Sequence, residues 1–418
     1  MKKRILTGKT VSRPFYDGQK LTDVVIKFNV AIKGSSVSAG SFEVKDRNII
    51  DAFCVSDFTG DEKAENSQFI RIRLNVRDDN AYTSPENPEP TEEEKKAYKG
   101  NDRLWFVGRS RRRLACQVTL LTELTTVDGE TVESGLKVKT SIEDNREVDR
   151  FRQFYLGNHE YNLFIPESYD ENRRYPLVLF IGDATSKGDD HHVSLECGLG
   201  PTCWLGEDIQ KEDPCFVLVP VFPQNAGNDN NTYVEFPLTD VYYQMCREVE
   251  SNYSIDPDRI YTTGQSMGCM NSYELMFRYP HYFAAALCVS GHWDRWKIAS
   301  CAKRGQIIWS IAAEEDGGGG PSFRESMELL DEQNIPYQFA RLDGSLTISV
   351  LSEQFEELKK EDHDFRFTFY EGKTSLRVGQ EDECYSTHYS GWWLTYRIKP
   401  VLNWLLQQRR KEVSDELY

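Results

Sequence analysis

Gly264-Gln265-Ser266-Met267-Gly268 has the spacing G-x-S-x-G, and what stands on either side of it decides the fold. Upstream, Arg259-Ile260-Tyr261-Thr262-Thr263 is a β-prone run behind the turn signal Asp256-Pro257-Asp258. Downstream, Met270, Tyr273 and Phe277 recur at helical intervals until Pro280. The order is strand, sharp turn, helix. A serine at such a turn is forced into strained backbone geometry, and the flanking glycines let strand and helix approach closely enough to present its hydroxyl above a sheet. A serine ahead of a helix is often only an N-cap. Here a further apolar strand, Phe283 to Gly291, follows the helix, and that context favours a nucleophile elbow.

On both sides of this elbow, strands alternate with helices. Tyr161 to Ile165 reads as a strand, followed by the unbroken apolar runs Leu177 to Ile181 and Phe216 to Val221. Continuous runs of this kind mark strands covered on both faces, as in a parallel sheet. Leu238, Val241, Tyr242, Met245 and Val249 follow helical spacing and supply a crossover helix. Gln306 to Ala312, Tyr337 to Leu342 and Phe365 to Tyr370 read as strands, Ser322 to Glu332 as a helix, and Arg397 to Gln408 as a closing amphipathic helix. The expectation is a doubly wound, mostly parallel α/β domain over residues 146–418.

The amino-terminal third is different. Between Thr10 and about Ile142, strand-like segments run Leu21 to Val30, Ser41 to Val44, Ile49 to Val55, Phe69 to Val76, Arg103 to Val107 and Ala115 to Leu121, with no confident long helix. Short strands at this spacing predict an all-β sandwich over residues 1–145. The proline- and acid-rich stretch Ser84 to Lys96 cannot build a core and reads as an exposed, mobile loop, with a helical turn at Glu92 to Tyr98. Ser141 to Glu147 reads as a polar linker.

At 418 residues the chain exceeds what one core usually serves, which agrees with two domains. Its net charge of −17, from 67 acidic and 50 basic side chains, repels nucleic acid and anionic membrane surfaces. The basic cluster Arg109 and Arg111-Arg112-Arg113 reads as a solvated strand edge. No run approaches the length of a membrane span. Ten cysteines are scattered without close pairs and suit buried, reduced thiols better than a disulfide framework. There is no C-x-x-C pair, and His191-His192 lacks a complementary cluster at ligand spacing, so no metal is expected. Met1-Lys2-Lys3-Arg4 has the charge of a signal-peptide start, but Ile5-Leu6-Thr7-Gly8-Lys9 supplies no apolar run after it, so a cytoplasmic location is expected unless a leader has been removed.

A serine hydroxyl is a poor nucleophile at neutral pH, so a base must take its proton and a third group must hold that base in one tautomer. In folds of this kind the order is serine, acid, histidine. Of the seven histidines, His363 and His388 lie late enough to follow an acid beyond the elbow. His363 sits in the charged run Lys359 to Asp364, a solvated helix end, whereas His388 lies in a polar and aromatic loop just before the closing helix. For the acid, the buried strand Gln306 to Ala313 ends in Glu314-Glu315-Asp316; Asp316 stands at the junction, with Glu315 as the alternative. The four glycines Gly317 to Gly320 are no phosphate loop, because they lack the Gly-Lys-Ser/Thr ending and are not expected to open a helix in the required way. The oxyanion of a tetrahedral intermediate would find one donor in the backbone N–H of Met267 and another after the Leu177 to Ile181 strand, at Asp183 or Ala184. Gln265, Trp293, Trp296, Tyr389 and Trp392 are candidate substrate contacts; for the tryptophans, ordinary rim packing is the competing reading.

Three segments carry a family resemblance: Tyr161 to Asp170, Ile255 through Gly268, and Val401 to Leu406. With them the chain resembles α/β-hydrolase esterases related to polyhydroxybutyrate depolymerases and to predicted peptidases of the prolyl-oligopeptidase group. Tyr16 to Thr22 is similar to the opening of the immunoglobulin-like amino-terminal domain that such esterases carry. The resemblance implies serine-dependent hydrolysis of small or medium carboxylic esters, without metal or organic cofactor, with Ser266, Asp316 and His388 matching nucleophile, acid and base. Two positions depart from the pattern: Ile181-Gly182 stands where relatives have His-Gly, and Cys269 where they have a second glycine. The first alters the oxyanion loop. A serine peptidase with the same triad and a catalytically impaired binding protein on this fold are the competing readings. The sandwich is compatible with shielding the active-site mouth, binding polymer or joining subunits into a homo-oligomer.

Overall fold

A computed structural model describes residues 4–85, 109–112, 115–188, 190–223, 237–380 and 384–411. The described chain divides into two bodies. The first holds residues up to Pro14, Gly18–Pro85 and Arg111–Arg150; the second holds Phe15–Asp17, Arg109, Ser110 and the chain from Phe151 onward.

The first body is built of strands: β1 (Ile5–Phe15), β2 (Gly18–Lys33), β3 (Phe42–Val44), β4 (Ile49–Val55), β5 (Asn66–Leu74), β6 (Gln117–Leu120), β7 (Leu124–Thr125), β8 (Thr131–Val132), β9 (Lys137–Lys139) and β10 (Ile142–Asp144). One sheet has the order β10-β1-β2-β5-β4, a second β3-β6-β9, and β7 pairs with β8. Alternation along β2 sends Val24, Ile26 and Phe28 into one cluster with Ile70, Ile72, Val118 and Leu120. The opposite face carries Val25 with Val11, Phe53 and Val55. Each such side chain, fully buried, contributes about 1.5–3 kcal/mol.

Two expectations change here. β1 begins ahead of Thr10, and Ser141 to Glu147 is no free linker. Its Ile142–Asp144 pairs in parallel with Lys9–Val11, Lys9 Nζ meets Asp144 at 2.6 Å, and the Ser12 hydroxyl donates to Asn145 Oδ1 at 2.8 Å, so the first body runs on to Arg150. Ser84, at the start of the expected loop, is buried. The rest of that loop, its helical turn and the strand expected at Arg103 to Val107 lie outside the described residues.

The second body is a nine-stranded sheet of order β11-β12-β15-β13-β17-β18-β19-β21-β20. Its strands are β11 (Arg152–Leu156), β12 (His159–Phe164), β13 (Tyr175–Ile181), β15 (Phe216–Pro220), β17 (Ile255–Gln265), β18 (Ala285–Val289), β19 (Ile308–Ala313), β20 (Gln338–Leu342) and β21 (Phe365–Tyr370); β14 (Lys187–Gly188) and β16 (Phe222–Pro223) form a separate small ladder. β11 and β12 are antiparallel to their neighbours, and the pairs from β15 to β20 are parallel. Every residue of β13, β18, β19 and β21 is buried, as continuous apolar strands require when helices cover both faces. On one face Leu177, Leu179 and Ile308 pack with Tyr242, Met245, Met270, Tyr273 and Phe323 from helices Pro237–Asn252, Met267–Arg278 and Gly319–Glu332. On the other, Trp309 meets Phe355 and Trp404, and Phe180 meets Tyr396, from the segment that holds helices Ile348–Lys359, Thr387–Thr395 and Lys399–Gln407.

The turn signal Asp256-Pro257-Asp258 does not precede the elbow strand but is swallowed by it. Pairing with β13 jumps from Tyr175↔Ile255 to Leu177↔Ile260, so these residues form a bulge. Arg259 holds it, donating to Asp256 Oδ2 and to Asp213 Oδ1, each at 2.9 Å.

Candidate active site

The carboxyl ends of β17 and β19 and the first turn of helix Thr387–Thr395 supply the three candidate residues. Ser266 follows β17 directly and precedes helix Met267–Arg278. Its backbone sits at φ 53° and ψ −114°, a conformation that L-residues rarely adopt and that persists only when the surroundings impose it. The glycines show what imposes it. A Cβ on Gly268 would stand 1.8 Å from the carbonyl oxygen of Ile181, and one on Gly264 would stand 2.6 Å from that same oxygen. Strand and helix therefore meet at a distance that only hydrogen side chains allow. Ser266 N–H donates to Val289 O at 3.0 Å, which pins the turn to β18.

Asp316 lies in the turn after β19, with 1% of its side chain exposed. The amides of Gly318 and Gly319 donate to its Oδ1 at 3.0 and 3.2 Å. The helix expected from Ser322 starts three residues earlier, at Gly319, and the glycine run serves a carboxylate of the chain itself. Burial on its own would raise the Asp316 pKa, but His388 and these two amides outweigh it and hold the carboxyl below its ordinary value. Glu315, the alternative acid, is exposed and lies 3.6 Å from Lys373.

His388 is not in a loop but in the second position of helix Thr387–Thr395, whose N-cap Ser386 accepts from the His388 amide at 3.2 Å. Thr387 Oγ1 donates to Glu315 O at 3.0 Å, fastening this helix to the turn that carries Asp316. The imidazole then bridges the other two groups. Its Nδ1 lies 3.0 and 2.9 Å from the Asp316 carboxylate oxygens, and its Nε2 lies 2.9 Å from Ser266 Oγ. With the carboxylate accepting from Nδ1–H, Nε2 is left as the acceptor that faces the serine hydroxyl. His363, by contrast, stands in the connection to β21, where its carbonyl accepts from Arg366.

The structure treats the other candidates unequally. Met267 is the first residue of its helix, where amides have no intrahelical acceptor. Asp183 and Ala184 are both buried in the turn after β13. The Asp183 carboxylate organises that turn, accepting from Thr185 N and Oγ1 at 2.7 and 2.6 Å and from Ser186 Oγ at 3.1 Å. Gln265 is fully buried, and so does not face a groove. Its Nε2 donates to Asp183 Oδ2 at 2.8 Å and to Cys197 O at 3.2 Å, so it ties the turn after β13 to the residue beside Ser266. Trp293 is corrected likewise: it is 7% exposed and packs in the main core, with its amide paired to Ser322. Trp296 is 59% exposed on helix Arg295–Lys303, and its ring packs against Arg295. Trp392, buried, stands edge-on to the His388 ring at 4.8 Å, and Tyr389 packs against Trp392 at 4.9 Å. Of the five, Tyr389 and Trp392 adjoin the base.

Two neighbours were not read from the sequence. Tyr385, 68% exposed, meets Tyr389 edge-on at 5.3 Å. His292 follows β18 closely; the protein packed around its imidazole lowers its pKa, Asp316 raises it and protonated His388 lowers it, so it shares the field of the site while remaining exposed. Neither carries a motif; Tyr385 stands three residues before His388 in the sequence, whereas only folding brings His292 near it.

Comparison with known proteins adds to this geometry. Residues 8–133 match the family model for the esterase Ig-like N-terminal domain. A probable feruloyl esterase C from Aspergillus clavatus is 28% identical over 137 residues, covering 33% of this chain; the chain spans about half the length of this curated relative, 47%. The crystal structure of a thermostable esterase superposes with a TM-score of 0.74 at 24% identity, over 97% of this chain and all of that one. Residues 8–133 thus match the esterase Ig-like N-terminal domain model, and the chain shares its fold, a β-sandwich followed by an α/β domain, with that thermostable esterase.

Proposed function

We propose that the protein is a serine carboxylesterase that hydrolyses small or medium carboxylic esters through an acyl-serine intermediate. The observation that carries this reading is the chain of contacts from Ser266 Oγ through His388 to Asp316, at 2.9 Å and at 2.9 to 3.0 Å, on a serine held at φ 53°. In this reading His388 Nε2 takes the hydroxyl proton as Oγ attacks the ester carbonyl, and Asp316 fixes the tautomer and stabilises the imidazolium. The tetrahedral oxyanion forms against the Met267 N–H and an N–H of the Asp183–Ala184 turn, each donor contributing about 3–4 kcal/mol. Collapse expels the alcohol, which takes the proton from His388, and water repeats the cycle on the acyl-serine. The exposed ring of Tyr385 and the adjoining Tyr389, next to His388, favour esters with an aromatic or apolar portion. Likeness to a probable feruloyl esterase supports the same direction.

A fluorophosphonate probe should label the wild type covalently and leave Ser266→Ala unlabelled, and that variant should lose roughly 10⁶-fold in kcat on an activated ester. Equal labelling of both proteins, or turnover retained in Ser266→Ala, would remove Ser266 from the reaction. Matched ester and amide substrates separate an esterase from a peptidase with the same triad.

A further inference from the structure

Asp190, His191 and His192 adjoin one another in the segment between β14 and helix Val193–Glu196, and Glu160 meets them from β12. Asp190 Oδ1 lies 2.6 Å from His192 Nδ1 and 3.7 Å from His191 Nδ1, and Glu160 Oε1 lies 3.8 Å from the same His191 nitrogen. The donor atoms of Asp190, His191 and His192 all lie within 4.8 Å of one another. A tetrahedral ion with bonds of about 2.0–2.1 Å separates its ligand atoms by about 3.3 Å, so small rotations of these side chains close them on one centre. Side-chain exposures of 20 to 33% leave room for an ion to enter and keep water.

The short turn in which the His192 N–H donates to Asp190 Oδ1 at 2.9 Å, with the His192 ring against the same oxygen, accounts for Asp190 and His192. It does not account for Glu160, which comes from another element and whose Oε1 also accepts from Gln153 Nε2. Strand periodicity puts Glu160 and Asn162 on one face of β12. Asn162 Nδ2 donates to the His191 carbonyl at 2.8 Å and to Ser194 Oγ at 3.1 Å, so the strand that presents a carboxylate also fixes the backbone of the histidine opposite it.

We propose that Glu160, Asp190, His191 and His192 bind a divalent first-row transition ion. Two imidazoles with two carboxylates select Zn²⁺ and its neighbours over Mg²⁺ and Ca²⁺, which prefer oxygen donors alone. Bound there, the ion cross-links β12 to the segment that leads to Cys197, whose carbonyl Gln265 grips. Its effect is on stability and needs no catalytic role; it does not rest on the esterase reading.

Zn²⁺ titrated into metal-stripped full-length protein, followed by calorimetry and by thermal melting, tests the proposal. Saturable binding of one ion per chain with a rise in Tm is expected, with no comparable rise from Mg²⁺. His191→Ala and His192→Ala should each weaken binding at least about tenfold. Ser266→Ala should bind as the wild type does. Binding undiminished in both histidine variants, an equal response to Mg²⁺, or no saturable Zn²⁺ binding overturns the site. Should a variant fail to fold, the visible spectrum of the wild type with Co²⁺ decides: nitrogen and oxygen ligation is expected, and a thiolate charge-transfer band assigns the ion to cysteine and overturns the proposal.

Discussion

The Asp316 carboxylate is buried and ionised together, a combination that costs free energy unless hydrogen bonds and charge offset it. Its folded-state pKa lies below the ordinary carboxylate value, so the unfolded chain takes up a proton first as pH falls. The resulting stabilisation is fully present above the ordinary value near 4 and is lost as pH drops through the folded value. Thermal melts of Asp316→Asn should therefore lose less stability than the wild type between neutral pH and that acid range; parallel acid limbs would show that Asp316 carries no such linkage. The same variant should cut kcat by about 10⁴-fold on an activated ester, because an amide at this place favours the wrong imidazole tautomer. Gln265 gives a second prediction. Gln265→Leu leaves Asp183 Oδ2 without its 2.8 Å donor and should cost about 1.5–3 kcal/mol in urea unfolding, with a fall in kcat larger than any rise in KM. An unchanged kcat would separate Gln265 from the geometry of the oxyanion donor proposed in the Asp183–Ala184 turn. Ser266, Asp316 and His388 were legible because a motif, a chain order and a strand end single them out. Gln265 and Trp293 were not, since burial depends on what folds over a residue: Gln265 lies beside the serine in sequence yet points under the loop.

At the scale of elements, the elbow depends on contacts that no larger side chain tolerates. Gly268→Ala would put a Cβ 1.8 Å from Ile181 O, backbone that cannot step aside without moving β13. The expected outcome is loss of soluble, cooperatively folding protein, read by circular dichroism and melting; a variant with wild-type Tm would refute the close approach. The helix that carries His388 is short, nine residues, and begins at an N-cap two positions before it. Ser386→Ala should lower stability by about 1 kcal/mol and reduce kcat, because the first turn that frays is the one that holds the base. Apolar periodicity found β13, β19 and β21 within two residues of their ends, since strands buried on both faces have no competing pattern. It failed where polar residues have tertiary partners. Asp256-Pro257-Asp258 reads as a turn but is a bulge held by Arg259, and Thr387 to Trp393 reads as a loop because the helix it belongs to is buried all round from Ser390 to Thr395 and shows no amphipathic stripe.

For the molecule as a whole, the change of pattern near residue 145 separated the two bodies, and the hydrolase fold came from strands alternating with helices. The first body runs on to Arg150 because Asn145 and Arg146 are bound by Ser12 and Asp61, partners too distant in sequence for any local signal. Net charge is a property of this scale and bears on which esters arrive. With 67 acidic and 50 basic side chains, the chain carries −17, and its summed field repels an ester that bears a free carboxylate. Raising ionic strength from about 0.01 to about 0.15 M shortens the Debye length from roughly 30 to roughly 8 Å, which screens that repulsion while leaving contacts within the site almost untouched. For two esters of equal size and the same leaving group, one neutral and one carboxylate-bearing, kcat/KM of the anionic ester should rise several-fold over this range and that of the neutral ester should stay constant. Parallel salt profiles would mean that local charges near Tyr385 and Tyr389, rather than the field of the whole chain, govern the approach of substrate.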